Sequence, residues 1–426
     1  MEIREKIDSS KLREESEEKS IPIVDLLLEK LRDISQKEKK GHTLFAVCPN
    51  SENVLIAAIR SAKRANAPIM FAATLNQVDT DGGYTGWTQN DLIRKIKEIS
   101  YGIGFDGPII TAIDHGGPWL KDIQAKERWN LDKCMSWIKK SFEDAIVAGY
   151  DLIHIDPTVD IFNEQIELKT VVNRTIELIS HIENFRKTKR IGPISYEVGT
   201  EEVHGGLADI SIFNKFLLLM KEGLKLKGLD NIWPIFIVGK VGTDLYTTLF
   251  DINVAKKLVD ITSRYSSFLK GHYSDFVSNP EDYPKSGVGA ANVGPEFTMI
   301  EYDALAELAQ IEDELYKKNK VGKKSNFKNV LEKAIVKSNR WKKWLRNDEK
   351  NLDSLNTEKK ELIIKTCSRY VWAQPEVKLS QHELYKNLEQ NGIDPQDWVL
   401  MKIEAGMDKY FRAFNLINLS DRLKDF

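Results

Sequence analysis

The stretch PIITAIDHGGP, residues 108–118, decides the fold of this 426-residue chain. Its first six residues form an apolar run with several β-branched side chains, which is typical of a buried parallel strand. Asp114 and His115 end the run, and the chain-breaking sequence Gly-Gly-Pro follows them. Such a strand delivers two polar side chains to its C-terminal end, and in a (β/α)8 barrel that end is the active-site face.

Seven further apolar runs alternate with amphipathic, helix-like stretches along the chain. The eight runs predict strands at residues 42–48, 68–74, 108–113, 152–155, 193–198, 233–238, 267–269 and 287–293. Eight strand–helix units in about 260 residues predict an α/β fold of the closed (β/α)8 TIM-barrel type.

Helical patterns flank the predicted barrel on both sides. Residues 1–40 are expected to form an N-terminal charged extension, frayed or loosely helical at first and then a helix over 21–34. We predict the barrel over residues 41–315. Residues 316–426 then form a C-terminal helical appendix, with helices at 326–346, 358–369 and 381–391.

The composition limits the partners and the compartment. Lysine and arginine number 62 against 64 aspartates and glutamates, so no overall basic charge favours a nucleic acid or a membrane surface. We find no apolar run of the roughly 20 residues that span a bilayer, and no signal peptide. Three scattered cysteines without CxxC spacing predict reduced thiols and a cytoplasmic protein. We expect a small-molecule ligand and a homo-oligomer.

Polar residues follow the predicted strands at their C-terminal ends, where the chemistry of a barrel is concentrated. Four of the seven histidines fall there. The candidate site residues, in strand order, are Asn76, Gln77, Asp114, His115, Asp156, Glu197, Glu201, Lys240, His272, Ser274, Asp275 and Asn292.

These residue types suit a metal-assisted reaction of a sugar. Imidazoles and carboxylates from strands 3, 5 and 7 supply nitrogen and oxygen ligands to Zn²⁺ or another divalent metal such as Mn²⁺. We assign His115 and His272 as ligands together with Glu201 or Glu197, and Asp114 or Asp156 as the general base. The metal would act as a Lewis acid on a ketose carbonyl. Lys240 would be a cation for the carbonyl or phosphate, and Asn76, Gln77, Ser274, Asp275 and Asn292 would bind substrate.

Some of these residues also have a purely structural interpretation. His154 alternates with isoleucines inside a predicted strand, so it is either a site residue or a hydrogen-bonded histidine of the barrel interior. His204, beside two glycines, is more typical of a structural loop residue. Lys240 is either a solvated lysine or a functional one at a buried strand end.

The sequence resembles the Z-subunit family of class II tagatose-1,6-bisphosphate aldolases over roughly residues 41–415. The matching stretches are Asn76-Gln77-Val78 with residues 82–86, Asp114-His115 with Gly117-Pro118, His154-Ile155-Asp156, Tyr196 with Gly199-Thr200-Glu201, His272 with Ser274-Asp275, Val293-Gly294-Pro295, residues 305–312, Trp341-Lys342-Lys343 and Arg369-Tyr370.

This resemblance implies a TIM barrel with helical additions, related to class II fructose-bisphosphate aldolases, in which an aspartate–histidine pair supplies the general base and a zinc ligand. Asp114, His115 and His272 match those roles. The sequence departs from the pattern in three places. Lys240 replaces a histidine ligand, the glycine–serine phosphate loop after strand 7 is missing, and Glu197 stands where an apolar residue is common.

Three hypotheses follow. The first is a metal-dependent enzyme that cleaves or epimerises a ketose or ketose phosphate by aldol chemistry. The second is a noncatalytic subunit that stabilises a separate class II aldolase chain, the role generally described for Z subunits. The third is a metal-free aldolase that forms a Schiff base on Lys240.

Overall fold

Eight parallel strands form a closed barrel in the computed structural model, which describes Asp8 and residues 10–163, 165–199, 208–243, 247–345 and 349–424. The strands are β1 Leu44–Val47, β2 Ile69–Thr74, β3 Ile109–Gly116, β4 Leu152–Ile155, β5 Ser195–Gly199, β6 Phe236–Val238, β7 Phe268–Gly271 and β8 Ala290–Val293. Each strand pairs with the next in chain order, and β8 returns to β1 with Ala46 opposite Asn292. The predicted TIM barrel is confirmed.

The helices alternate with the strands and continue beyond the barrel. They are α1 Lys11–Lys19, α2 Ile23–Glu38, α3 Glu52–Ala65, α4 Gln89–Ile103, α5 Asp122–Lys126, α6 Leu131–Ala148, α7 Leu168–Lys189, α8 Ile210–Leu226, α9 Ile252–Ser263, α10 Asp282–Ser286, α11 Pro295–Lys317, α12 Phe327–Ser338, α13 Thr357–Cys367, α14 Pro375–Glu389, α15 Pro395–Ala413 and α16 Leu419–Arg422. Short 3₁₀ helices lie at Arg340–Trp344, Leu352–Ser354 and Ser368–Tyr370. No helix in the described part of the chain is long and apolar enough to cross a membrane.

The charged N-terminal segment is docked on the barrel through one arginine. The guanidinium of Arg13, in α1, donates to Asp151 Oδ1 at 2.8 Å and to the carbonyl of Ile109 at 2.6 Å. Ile109 begins β3 and Asp151 precedes β4, so α1 lies at the N-terminal end of the barrel, away from the expected site. The high charge density of this segment predicted fraying and gave no indication of this buried ion pair.

The C-terminal helices pack on the outside of the barrel. The helix predicted at residues 326–346 is interrupted in the structure, because Asn339 takes a left-handed conformation with φ of +56° and the chain continues as a 3₁₀ helix. Helix α15, which the sequence patterns did not predict, packs on α3 and α11. Its Tyr410 stacks on Phe45 of β1 with ring centroids 5.3 Å apart, so the last long helix covers the first strand.

Candidate active site

A cavity of about 420 Å³ opens at the C-terminal ends of the strands, within the usual size range of small-molecule sites. Seven of the candidate residues line it: Asn76, Gln77, Asp114, His115, His272, Asp275 and Asn292. Its remaining wall comes from the segments that follow β1, β2, β3, β4, β7 and β8 and from the C-terminal appendix. The cavity therefore combines residues of the barrel with residues from outside it.

Backbone geometry explains the Asp-His-Gly-Gly sequence at the end of β3. The pairing of β3 with β4 shifts register between Ile113 and Gly116, and His115 takes a left-handed φ of +49°. A side chain at Gly117 would place its Cβ 1.7 Å from the carbonyl oxygen of Asp156, so only glycine fits there. The kink sends β3 past its predicted end and turns the side chains of Asp114 and His115 into the cavity.

Three imidazoles meet beside Asp114. The ring centroid of His115 lies 5.0 Å from that of His154 and 4.7 Å from that of His272. One potential ligand atom from each of these three histidines and from Asp114 lies within 4.8 Å of the others. Strands β3, β4 and β7 therefore bring together a cluster of metal-ligating side chains.

A carboxylate lies behind each of two of these imidazoles. His115 Nδ1 lies 2.6 Å from Asp156 Oδ2, and His272 Nε2 lies 3.0 Å from Glu197 Oε1. Because a carboxylate only accepts, the protonated ring nitrogen is the one that faces it in each histidine. This is the arrangement by which carboxylates orient histidine ligands of metals.

The other nitrogens of these two rings face one another. His115 Nε2 and His272 Nδ1 are 3.1 Å apart, and in neutral rings both carry lone pairs. Two lone pairs at that distance require a proton or a cation between them. Nitrogen ligands on a tetrahedral zinc, each about 2.0–2.1 Å from the metal, lie roughly 3.3 Å from one another. The residues present therefore fit a divalent metal.

His154 has a different hydrogen-bond partner. Its Nδ1 accepts the backbone N–H of His115 at 3.1 Å, so the lone pair of this nitrogen is occupied. The side chain is only 1% exposed. The contact holds the kinked backbone that presents His115, which agrees with the interpretation of His154 as a hydrogen-bonded interior histidine.

The structure places Glu197 behind His272 and pairs it with a lysine that sequence reasoning missed. Lys270 Nζ lies 2.6 Å from Glu197 Oε2, and both side chains are fully buried. Burial alone would raise the pKa of Glu197, but the ammonium of Lys270 and the neighbouring imidazoles outweigh it and lower that pKa to about 2. One carboxylate oxygen of Glu197 thus holds Lys270 and the other holds His272. Lys270 comes directly after the predicted strand 267–269, and β7 extends over it, so its buried position was not predicted.

The carboxylates of the cluster are ionised despite their burial. Burial opposes ionisation of Asp114, but His115 and His272 hold its pKa well below the usual range. Burial has the same effect on Asp156, and its hydrogen bond to His115 lowers its pKa. The pKa of His115 is raised, since burial is outweighed by Asp114 and Asp156. These pKa shifts favour ionised carboxylates next to the imidazoles, an arrangement that suits a bound cation.

Three other candidates do not line the cavity. Asp156 stands behind His115, and Ser274 donates or accepts at the hydroxyl of Tyr283, 2.8 Å away, outside the cavity. Lys240 does not line the cavity, and its carbonyl accepts from Ala208. Glu201 lies outside the described residues, as does His204.

The amide side chains surround the cavity with polar groups. Asn76 donates to the carbonyl of Leu120, and Gln77 donates to Asn50 Oδ1 at 2.7 Å. Asn292 differs, because neither its side-chain oxygen nor its nitrogen has a hydrogen-bond partner among the described residues, although both are buried. A buried amide without partners costs about 1–3 kcal/mol. Its place in the cavity wall is suited to a hydroxylated ligand.

The end of the cavity formed by the appendix is cationic and aromatic. Tyr84, from the loop after β2, packs edge-on against Tyr370 with centroids 5.1 Å apart. Arg369 and Lys343 also line the cavity, and the Arg369 guanidinium lies 4.7 Å from the Tyr370 ring. Sequence reasoning assigned these residues no role. Their signal was the recurrence of Arg, Lys and Tyr in two short segments that carry the family resemblance.

A family model for D-tagatose-1,6-bisphosphate aldolase subunits of the GatZ/KbaZ-like type matches residues 31–404. The chain belongs to this family. The match extends through the barrel and most of the appendix, so it includes both ends of the cavity.

Solved structures share the fold at low sequence identity. A probable tagatose 6 phosphate kinase from Sinorhizobium meliloti superimposes with a TM-score of 0.72 at 21% identity, covering 87% of this chain and 100% of that one. The fructose-bisphosphate aldolase of Campylobacter jejuni gives 0.55 at 12% identity, covering 93% and 95%. A fructuronate-tagaturonate epimerase from Cohnella laeviribosi gives 0.53 at 9% identity, covering 88% and 82%. These similarities concern the fold.

Proposed function

We propose that this protein is a metal-dependent enzyme that acts on a ketose or ketose phosphate by aldol chemistry, through C3–C4 cleavage or C4 epimerisation. The observation that carries the proposal is the pair of facing imidazole nitrogens of His115 and His272, 3.1 Å apart beside Asp114. Membership of the aldolase-subunit family supports the choice of reaction. Three free cysteines among the described residues agree with a cytoplasmic location.

Zn²⁺ or Mn²⁺ would be held by His115 and His272, with Asp114 as the carboxylate of the same cluster. When bound, it supplies Lewis-acid stabilisation of the negative charge that develops on the ketose oxygens. We propose Glu197 and Asp156 as positioning residues, because each fixes the orientation and the protonated nitrogen of one ligand imidazole. Lys270 keeps Glu197 ionised for that purpose.

The proton step belongs to Asp114. Its carboxylate is ionised, lies at the cavity wall and is the group best placed to take the proton of the substrate's C4 hydroxyl. As that proton leaves, the C3–C4 bond breaks, C4 becomes an aldehyde carbon and the electron pair stays on C3, conjugated with the C2 carbonyl. Re-addition of C3 to the same face restores the substrate, and re-addition to the other face of the aldehyde inverts C4.

The remaining cavity residues would bind hydroxyl groups. Asn292 offers a donor and an acceptor that have no partner in the described structure, and Asn76 and Gln77 line the same cavity. A polyhydroxylated ligand would form hydrogen bonds with such groups, whereas a cavity that binds no ligand would leave the amide of Asn292 unsatisfied.

The alternative is a noncatalytic subunit that stabilises a separate class II aldolase, and membership of a family of aldolase subunits favours it. A panel of six- and seven-carbon ketoses and their phosphates, incubated with the isolated protein and Zn²⁺ or Mn²⁺ and followed by NMR, separates the two. We expect at least one ketose to be cleaved or inverted. An unchanged panel, together with stabilisation of an added class II aldolase, would establish the subunit role.

The Schiff-base hypothesis has less support, since Lys240 does not line the cavity and Lys270 is tied to Glu197. Borohydride reduction in the presence of the converted ketose, followed by mass spectrometry, tests it. We expect no covalent adduct. An adduct located on Lys240 would replace the metal mechanism.

A further inference from the structure

Arg369 is a buried cation without a carboxylate partner in the described part of the chain. The residue is 7% exposed, and its guanidinium donates to the carbonyl of Thr366 at 2.9 Å and to the hydroxyl of Tyr370 at 3.0 Å. No ion pair to Arg369 occurs among the described residues. Buried charges in proteins are normally paired, because removing an ion from water is expensive. A guanidinium has five donors, so several remain for a ligand.

Further positive charge surrounds the same end of the cavity. Arg340 donates to Asp122 Oδ2 at 2.6 Å, and Lys343 Nζ lies 3.5 Å from the other oxygen of that carboxylate. One aspartate therefore serves two cations, and Arg369 adds a third. Burial would raise the pKa of Asp122, but Lys343 and Arg340 outweigh it and lower that pKa, as an excess of positive charge requires. Asp122 is the one carboxylate among the described residues that forms an ion pair with any of these three cations.

Barrels of this kind have a further position that binds anions, and in this protein an acidic side chain occupies it. That place is formed by the loops after strands 7 and 8 and a helix N-terminus, whose backbone N–H groups receive a phosphate. Here the carboxylate of Asp275 fills it. Asp275 Oδ1 accepts the N–H of Gly294 at 2.9 Å and the N–H of Glu296 at 2.7 Å, at the start of α11. The residue between them is Pro295, which has no N–H to offer.

From these two observations we infer that the ligand carries a single terminal anionic group, a phosphate or a carboxylate, and that Arg369 and Lys343 bind it. This inference refines the proposed function, on which it rests for the ketose part of the ligand. The positive end of the cavity takes one anion, and the carboxylate of Asp275 occupies the place of a second. The ligand is then a ketose with one anionic end rather than a bisphosphate.

Isothermal titration calorimetry of the metal-loaded protein tests the inference with four probes: D-tagatose, its 6-phosphate, its 1,6-bisphosphate and D-tagaturonate. We expect one of the two singly anionic ketoses to bind at least about tenfold more tightly than D-tagatose, since hydrogen bonds to charged groups contribute that much or more. The tighter of the two identifies phosphate or carboxylate as the anion. We expect the bisphosphate to bind no more tightly than the 6-phosphate.

Two variants locate the anion. Arg369→Gln and Lys343→Met should each weaken binding of the anionic ketose, the first by about 10- to 100-fold, and this loss should exceed any change in the binding of D-tagatose. Lys343 is on an exposed 3₁₀ helix, so its variant remains informative if Arg369→Gln does not fold. Lys342→Met removes the same charge one residue away, outside the cavity, and should bind as the wild type does.

The inference is overturned if both site variants retain full affinity for the anionic ketose, if Lys342→Met weakens it equally, or if the bisphosphate binds tenfold more tightly than the 6-phosphate. It is also overturned if no anionic ketose binds better than D-tagatose. Because these are binding measurements, they do not depend on turnover. A ketose panel that stays unchanged while Arg369 still controls anion binding would reject the proposed reaction and leave this inference standing.

Discussion

His115 and His272 approach one another across the barrel, with 3.1 Å between His115 Nε2 and His272 Nδ1 and a carboxylate behind each ring. Glu197 and Asp156 hold the N–H of each imidazole away from the other, so the two lone pairs converge on one point. This relationship is the basis of the proposed metal site, and it yields the first predictions.

His115→Ala should abolish metal binding, because it removes one of the two converging lone pairs. The protein as purified should contain about one divalent metal per chain, measured by plasma mass spectrometry. His181→Ala is the matched control, since His181 contacts Glu143 on the helical layer, away from the cavity, and should keep its metal. Full metal occupancy of the His115 variant would remove this residue from the ligand set.

Asp156→Asn should weaken metal binding without eliminating it. Loss of a carboxylate behind a histidine ligand costs about 10- to 100-fold in metal affinity, because the ring loses its fixed orientation and some basicity. Competition with a chelator of known affinity measures the change. An affinity equal to that of the wild type would show that the 2.6 Å contact to His115 Nδ1 is only structural.

Asp114→Asn should lower turnover of the ketose identified by the NMR panel by about 10²–10⁴-fold, the range for loss of a general acid–base group. The amide keeps the size of the side chain but accepts a proton poorly. Circular dichroism and metal content establish that the variant is folded and loaded. Turnover within a few-fold of wild type would place the base elsewhere, and Asp156 would be the next candidate.

Lys270→Met should destabilise the protein by about 3–5 kcal/mol, because it leaves the buried charge of Glu197 uncompensated. Removing both charges, in Lys270→Met with Glu197→Gln, should restore much of that loss. Urea unfolding of the two single variants and the double variant gives the coupling between the residues. Additive effects in this cycle would contradict the close ion pair seen in the structure.

Glu301 gives a prediction about pH. Burial raises its pKa to about 7, against hydrogen bonds from Ser51 and Asn53 that lower it. The folded protein therefore holds a proton that the unfolded chain, with a glutamate pKa of about 4.3, releases, so stability falls as pH rises between about 4.3 and 7. Below that interval the group is protonated in both states and has no effect.

Glu301→Gln removes this ionisation. We expect the difference in unfolding free energy, variant minus wild type, to be more positive at pH 8 than at pH 5, by up to about 3 kcal/mol. Urea midpoints of both proteins at the two pH values provide the comparison, and the other carboxylates cancel because they are common to both. A difference that does not change with pH would mean that Glu301 is ionised in the folded protein.

The barrel could be predicted from the sequence because its strands are short apolar runs separated by amphipathic helices, and all eight predicted strands are present. The Asp114-His115 pair was predictable for a similar reason, since glycines that follow a buried strand indicate a tight local geometry. The β3 kink itself was not visible, because it depends on register between β3 and β4.

Long-range pairings were beyond the reach of the sequence. Lys270 follows the predicted strand 267–269, and only the fold brings it to Glu197, 73 residues away. Tyr84 and Tyr370 are far apart in the sequence and meet only when the appendix packs on the barrel. The hydrogen-bond partner of Asp275 is the beginning of α11, which no pattern around Asp275 indicates.

The stacking of Tyr410 on Phe45 also bears on how the polypeptide is made. The ribosome makes Tyr410 of α15 hundreds of residues after Phe45 of β1, so the first strand leaves the tunnel long before the ring that stacks on it. Until the appendix is made, Phe45 lacks this stacking partner, and the arginine that we propose to bind the anion is not in place. The barrel strands can thus pair before the appendix joins the cavity wall, and that step needs contacts between residues distant in sequence, which form slowly.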